Sequence, residues 1–309
     1  MSTVELLAIG ETMVMVTPEA GSRLAADSRY LLHPGGAESN VAAHLARMGH
    51  RVAWGSAVGD DPLGDIVVDS LREAGVDTDT VQRDPLRQTA VYFKDPTVDG
   101  TRVFYYRSGS AASALDIDSL ESWVAIAPRM VHLSGITPAL SESCRDLTRT
   151  VIHRRAFGDA VISFDVNHRP ALWREGASGE LLDLARASDI VFVGLDEAER
   201  LWGSRSAEEV RGLVPSPAAL VVKDGPREVV SFLGDETTRE PAREVPVVDV
   251  VGAGDAFAAG WLSGYLDGRS ARTRLRMGHY VASRVVMSPS DAAPLPVARE
   301  IATEVDRVF

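Results

Sequence analysis

Short apolar runs alternate along this chain with amphipathic stretches, and no other feature narrows the fold so far. Leu6–Ile9, Val52–Val58, Met130–Leu133, Val161–Asp165, Ile190–Val193 and Leu220–Val222 are largely apolar, as strands buried on both faces must be. Val41–Met48, Pro62–Ala74, Glu142–Phe157, Leu181–Ala187, Asp196–Trp202, Asp255–Asp267, Ala271–Met287 and Pro296–Val308 carry apolar residues at helical spacing. The alternation predicts an α/β fold: a mostly parallel sheet with helices on both faces. Ligands then bind beyond the carboxyl ends of the strands.

Two regions break the pattern. Thr12–Thr17 with Arg29–Leu32, and Gln88–Lys94 with Thr101–Arg107, show period-two patterning without helices between them. The second pair, joined through Asp95–Gly100, reads as a β-hairpin with a longer loop. Such strands form a small separate sheet, placed here as a lid or a dimer surface over the main domain. With no internal repeat or linker, the chain reads as one domain, residues 1–309, with a lid built from about residues 12–34 and 88–108. The sheet leaves an edge that needs covering, which predicts a homodimer or higher homo-oligomer through the lid.

Charge and composition limit the partners. The formal net charge is −12 and no Lys/Arg run occurs, so nucleic acid is excluded as a partner. A small anionic substrate stays open, because charges are screened beyond roughly 8 Å and the cleft's own residues decide its sign. Lysine occurs only at Lys94 and Lys223. The single Cys144 forms no internal disulfide and fits a reducing compartment. No leader segment and no apolar run of about 20 residues is found, so a cytoplasmic protein off the membrane is expected.

The sharpest motif is Val247-Val248-Asp249-Val250-Val251-Gly252-Ala253-Gly254-Asp255-Ala256-Phe257. It reads as an apolar strand, a Gly-Ala-Gly turn and a helix. Backbone N–H groups and the helix dipole at such a turn suit a phosphate. A carboxylate there, Asp255, would repel a static phosphate. It belongs beside one when it must accept the proton of an attacking hydroxyl. Asp255 also serves as an ordinary helix N-cap, and the local pattern leaves both readings open. A dinucleotide loop lacks its third glycine, which is Phe257 here, and no Walker A sequence occurs. A second glycine turn, Gly35-Gly36-Ala37-Glu38-Ser39-Asn40, opens the next helix, with Ser39 or Asn40 as its ordinary cap.

Gly35-Gly36-x-x-x-Asn40-x-Ala42 near one end and Asp249-x-x-Gly252-Ala253-Gly254-Asp255-Ala256-Phe257 near the other together resemble the two signatures of the ribokinase-like (PfkB) carbohydrate kinases. The resemblance covers the whole chain and implies a Rossmann-type α/β sandwich with a small β-sheet lid. Segments 103–111, 132–140 and 165–173 are similar to those of the branch that acts on 2-keto-3-deoxy sugar acids. It implies ATP as donor, Mg2+, a monovalent cation near Asp249, and a sugar-acid substrate. By the same resemblance Asp255 is the catalytic base, and Gly252, Ala253 and Gly254 form the anion hole. Gly35, Gly36, Asn40, Tyr92, Tyr105, Tyr106, Arg107, Arg169 and Asp291 contact substrate. Asn167, Lys223, Gly225 and His279 border the nucleotide, and Glu197 acts on the metal indirectly.

The physical reading agrees. A keto sugar acid needs a cation for its carboxylate, and Arg107 offers a planar fork that a neutral sugar would not require. Tyr92, Tyr105 and Arg107 come from the lid hairpin, so closure can exclude water. One of Tyr105 and Tyr106 must point away, because strand side chains alternate. The sequence departs from the family in three places. Gly194-Leu195-Asp196-Glu197 lacks the usual Asn, Lys223–Glu228 lacks a last glycine, and His279 stands where Asn is common. A neutral-sugar kinase and a non-catalytic sugar-binding protein on the same scaffold are the alternatives.

Overall fold

Every residue of Leu6–Ile9 is buried, because this strand lies inside a sheet covered on both faces. Leu6 and Ala8 pack with Val41, Val67, Leu262 and Leu275, whereas Leu7 and Ile9 pack with Leu115, Leu147 and Leu181. Alternate side chains of one strand thus feed two cores, one on each face. The computed structural model describes residues 3–19, 22–97, 100–173, 175–288 and 295–308.

Its strands in chain order are Leu6–Ile9 (β1), Met13–Pro18 (β2), Tyr30–Gly35 (β3), Val52–Gly55 (β4), Ala57–Gly59 (β5), Gln82–Asp84 (β6), Val91–Thr97 (β7), Gly100–Tyr106 (β8), Met130–Ser134 (β9), Val161–Asp165 (β10), Ile190–Gly194 (β11), Ala219–Asp224 (β12), Glu228–Leu233 (β13) and Glu236–Pro241 (β14). An 8-stranded sheet runs β14-β13-β12-β11-β10-β9-β1-β4. It is parallel from β12 to β4, with β13 and β14 added antiparallel at one edge. From β1 the chain builds outward to β4 on one side and β9 on the other, so the order reverses there. A crevice at the carboxyl ends of β1 and β9 follows from that topology.

The strands that broke the alternation form a separate 4-stranded sheet, β3-β2-β7-β8. Both this sheet and the α/β sandwich agree with the fold class read from the sequence. No helix among the described residues is long and apolar enough to cross a membrane.

Three local expectations are corrected. Val52–Val58 is not one strand, because pairing breaks at Ser56 and β5 pairs with β6 outside the large sheet. Val247–Val251 is not a strand either: Val247 and Val250 are 60% and 67% exposed, with no sheet neighbour among the described residues. Its backbone is tied instead by the N–H groups of Val248 and Asp249 to the Val286 carbonyl. The helix after the first glycine turn begins at Ala37, so Ser39 and Asn40 lie inside it and Gly36 is its N-cap. A Cβ at Gly36 would stand 2.3 Å from the Glu11 carbonyl oxygen, and that close approach requires glycine.

Candidate active site

Asp255 lies in the first turn of the helix Ala253–Leu266, whose N-cap is Gly252 at φ 77°. Glycine alone takes that left-handed conformation freely, and it lets the chain turn sharply into the helix. The cap reading of Asp255 therefore fails, since the cap position belongs to Gly252. Its Oδ2 instead accepts a hydrogen bond from Asn40 Nδ2 at 2.9 Å, across 215 residues of sequence. That bond joins the two glycine motifs in one place. Burial pushes the Asp255 carboxyl up to about 7, and the nearby Asp165 carboxylate acts in the same direction. The Asn40 amide and the charges of Arg169 and Lys223 oppose the shift.

The helix dipole puts partial positive charge at this turn. Ala253 donates its N–H back to the Val250 carbonyl at 3.2 Å, so of the three expected anion-hole residues Gly252 and Gly254 keep their first-turn N–H groups for a ligand. Lys223, at the end of β12, adds a full charge: a Cβ on Gly254 would lie 3.5 Å from its Nζ. Lys223 Nζ also donates to Asp165 Oδ2 at 2.8 Å. Burial works against the ammonium, but Asp165 and Glu197 outweigh it and hold Lys223 above the ordinary lysine value. The Glu197 carboxyl is raised by burial and by Asp165, with Lys223 opposing. Its Oε2 accepts the Gly194 N–H at 2.9 Å, which fixes it at the end of β11.

The other expected nucleotide neighbours divide. Asn167 sits at φ 36° after β10, where its N–H meets Asp165 Oδ1 at 3.3 Å. Gly225, at φ 51°, makes the β12–β13 turn with open space where a Cβ would be. His279 is instead a core residue: Nε2 lies 3.2 Å from the Glu240 carbonyl oxygen, and its ring packs edge-on against Phe257. Arg169 is exposed beyond β10 and has no ion pair among the described residues, so its charge is free to act on the Asp255 side of the cleft.

The small sheet supplies the opposite wall. A Cβ on Gly35 would lie 2.5 Å from the Tyr92 hydroxyl, which places Tyr92 over the first glycine turn. Tyr105 pairs with Tyr92, ring centroids 5.6 Å apart. Tyr106 pairs with Phe93 on the other face and is 64% exposed, so alternation removes it from the expected substrate wall. Arg107 follows β8 and is already engaged, its Nε donating to Glu11 Oε2 at 2.7 Å. Asp291 lies outside the described residues.

Three acidic residues of the site escaped the sequence reading. Glu11 accepts from Arg107 and from the Ser110 hydroxyl. Buried Glu38 accepts from the Ser134 hydroxyl at 2.7 Å and the Thr137 hydroxyl at 2.9 Å, bracing the Asn40 helix against β9. Asp165 anchors Lys223. Glu11 and Asp165 stand at or just past the carboxyl ends of β1 and β10, a position that marks them without further knowledge. Glu38 shows no such signal, being one polar residue inside a helix.

An acceptor hydroxyl beside Asp255 needs the carboxylate form. The kcat/KM profile should therefore rise with pH and level off above about 7, the value to which burial pushes this group. A flat profile between pH 5.5 and 8.5 would exclude Asp255 as the base.

A family model described as pfkB family carbohydrate kinase matches residues 4–298. A 2-dehydro-3-deoxygluconokinase of Bacillus subtilis (strain 168) is 34% identical over 306 residues, covering 97% of this chain and 94% of that one. Fructokinase-1 of Zea mays is 33% identical over 264 residues, covering 83% and 81%. The crystal structure of 2-dehydro-3-deoxygluconokinase from Thermotoga maritima matches with a TM-score of 0.84 at 26% identity, over 98% of this chain and 99% of that chain.

Proposed function

Because the chain belongs to the pfkB family of carbohydrate kinases, sugar phosphorylation is the premise, and we propose that its acceptor is 2-dehydro-3-deoxy-D-gluconate and its donor ATP. The product is the 6-phosphate. The observation that carries the chemistry is the Asn40–Asp255 bond, which sets a carboxyl titrating near neutrality beside an anion-binding helix terminus. Asp255 takes the proton of the terminal hydroxyl as that oxygen attacks the γ-phosphorus. The β–γ bridging P–O bond breaks, and ADP leaves. The N–H groups of Gly252 and Gly254, with Lys223, stabilise charge on the transferring group. Arg169 stands on the Asp255 side and screens the same charge.

Among the described residues no three His, Cys, Asp or Glu side chains cluster as metal ligands. This donor set fits a Mg2+ that arrives on the nucleotide rather than one held in an all-protein cage. Asp165 and Glu197 would hold its water ligands, and the ion would neutralise phosphate charge.

The names of several relatives support the sugar acid. One observation favours a neutral sugar instead: Arg107 is already neutralised by Glu11. A coupled ATP-consumption assay against a panel of sugar acids and neutral sugars separates the two. A higher kcat/KM for 2-dehydro-3-deoxygluconate is expected, and preference for fructose would reverse the assignment. No turnover with any sugar would leave a sugar-binding protein.

The small sheet acts in this reading as a lid on a single domain. Its outer face exposes Leu32, Phe104 and Tyr106 at 43%, 37% and 64%. A second copy would cover that face in a cytoplasmic homodimer or larger homo-oligomer. Light scattering at micromolar concentration should give at least a dimer mass, and a monomer would refute lid pairing.

A further inference from the structure

Asp249 opens the turn that leads into Gly252, and the family resemblance places a monovalent cation beside it. Each of its carboxylate oxygens already accepts a hydrogen bond. Lys94 Nζ donates to Oδ2 at 3.0 Å, and the Val251 N–H donates to Oδ1 at 3.0 Å. Burial would raise this carboxyl, but the Val251 N–H and then the Lys94 ammonium outweigh it and hold it below the usual range. A further cation at this carboxylate would meet an ammonium at contact distance, so among the described residues the donor set does not fit one.

Lys94 is 6% exposed and lies on β7, two residues from Tyr92 and therefore on the same face of the small sheet. The sheet wall that carries Tyr92 also delivers this charge. Composition supplies an independent observation. The chain has 32 basic residues, of which only Lys94 and Lys223 are lysines, and each is bonded to a carboxylate of the site. Arginine serves everywhere else. A compact ammonium on a flexible stem fits where a planar fork does not, close against one carboxylate oxygen.

We propose that Lys94 is the chain's own cation at Asp249: it holds the 249–254 turn in its anion-binding shape from the small sheet, and the enzyme needs no monovalent metal ion. Lys94 is thereby a positioning residue. The inference rests on the kinase reading above.

The test compares the full-length protein in potassium, sodium and tetramethylammonium salts at equal ionic strength, the last being too bulky for the site. Wild-type kcat should agree within about twofold in all three. Lys94→Met keeps most of the stem and removes the charge. Its kcat should fall at least about tenfold in tetramethylammonium and recover with potassium or methylammonium. A melting series supplies a readout free of turnover. Potassium should raise the midpoint of Lys94→Met by about 2 °C or more over tetramethylammonium, while leaving wild type unmoved. Potassium activation of wild type, or a Lys94→Met protein indifferent to every cation, would overturn the proposal. If no sugar is phosphorylated the kinase reading fails, and the melting series still decides Lys94. If Lys94→Met does not fold, wild-type cation dependence alone decides it.

Discussion

Asp255→Asn should lower kcat by about 10²–10⁴-fold while nucleotide still binds, the loss typical of a missing general base. The substitution nearly preserves shape, and the new amide can still offer its oxygen to Asn40 Nδ2, which now reaches Asp255 at 2.9 Å. Stability should move the other way. The folded-state pKa of about 7 lies above the ordinary aspartate value, so between those two values the folded state binds more protons than the unfolded state. Wild-type stability from this group is therefore full below about 4 and falls as pH rises to about 7. The variant lacks that fall and should melt no lower than wild type at pH 8. Low activity with undiminished melting marks a chemical role. Near-normal kcat would refute it.

Arg107→Ala should lower kcat/KM for 2-dehydro-3-deoxygluconate by about 30- to 5,000-fold and affect fructose far less. The range corresponds to the roughly 2–5 kcal/mol lost when one partner of a buried charge pair is removed. The structure adds a complication. Arg107 and Glu11 are 10% and 1% exposed in their side chains, so the single substitution also strands a buried Glu11 carboxylate. Removing one partner of such a pair destabilises the fold by about 3–5 kcal/mol. The double variant Glu11→Gln/Arg107→Ala leaves no charge stranded and should recover most of the melting temperature. It should not recover the sugar-acid activity. Glu11 engages Nε and Nη2 of Arg107, which leaves the Nη1 edge for an incoming carboxylate. Equal losses on acid and neutral sugar would make Arg107 a lid anchor through Glu11. The neutral-sugar kinase would then lead.

The legible parts of this chain are those with a local cause. Ile190–Val193 is apolar at every position because both its faces are covered, and it forms most of β11. Period two identified the β7–β8 hairpin, and alternation foretold that Tyr105 and Tyr106 would part. The β13–β14 hairpin went unread. Glu236–Pro241 lies at the sheet edge with four of its residues exposed and few apolar side chains, so its pattern resembles a loop. Val247–Val251 failed in the opposite sense, being apolar yet exposed. Hydrophobicity records what a strand can bury, and among the described residues no neighbouring strand is present to bury it against.

Within the site the division is sharper. Two glycine turns, a carboxylate at a helix start and a family signature were all present in the order of residues alone. Each rests on φ, on close approach or on the helix dipole, which are properties of a few consecutive residues. The pairings Asn40–Asp255, Glu11–Arg107, Lys223–Asp165 and Lys94–Asp249 were not. Their partners stand 58 to 215 residues apart, and they meet only because parallel strands bring their carboxyl ends to one edge and the small sheet lies against that edge. A titratable group takes its charge from whatever lies within a few ångströms of it. The sequence therefore named the groups that could do the chemistry, and tertiary structure alone decided which of them are charged, which are free and which are already bound.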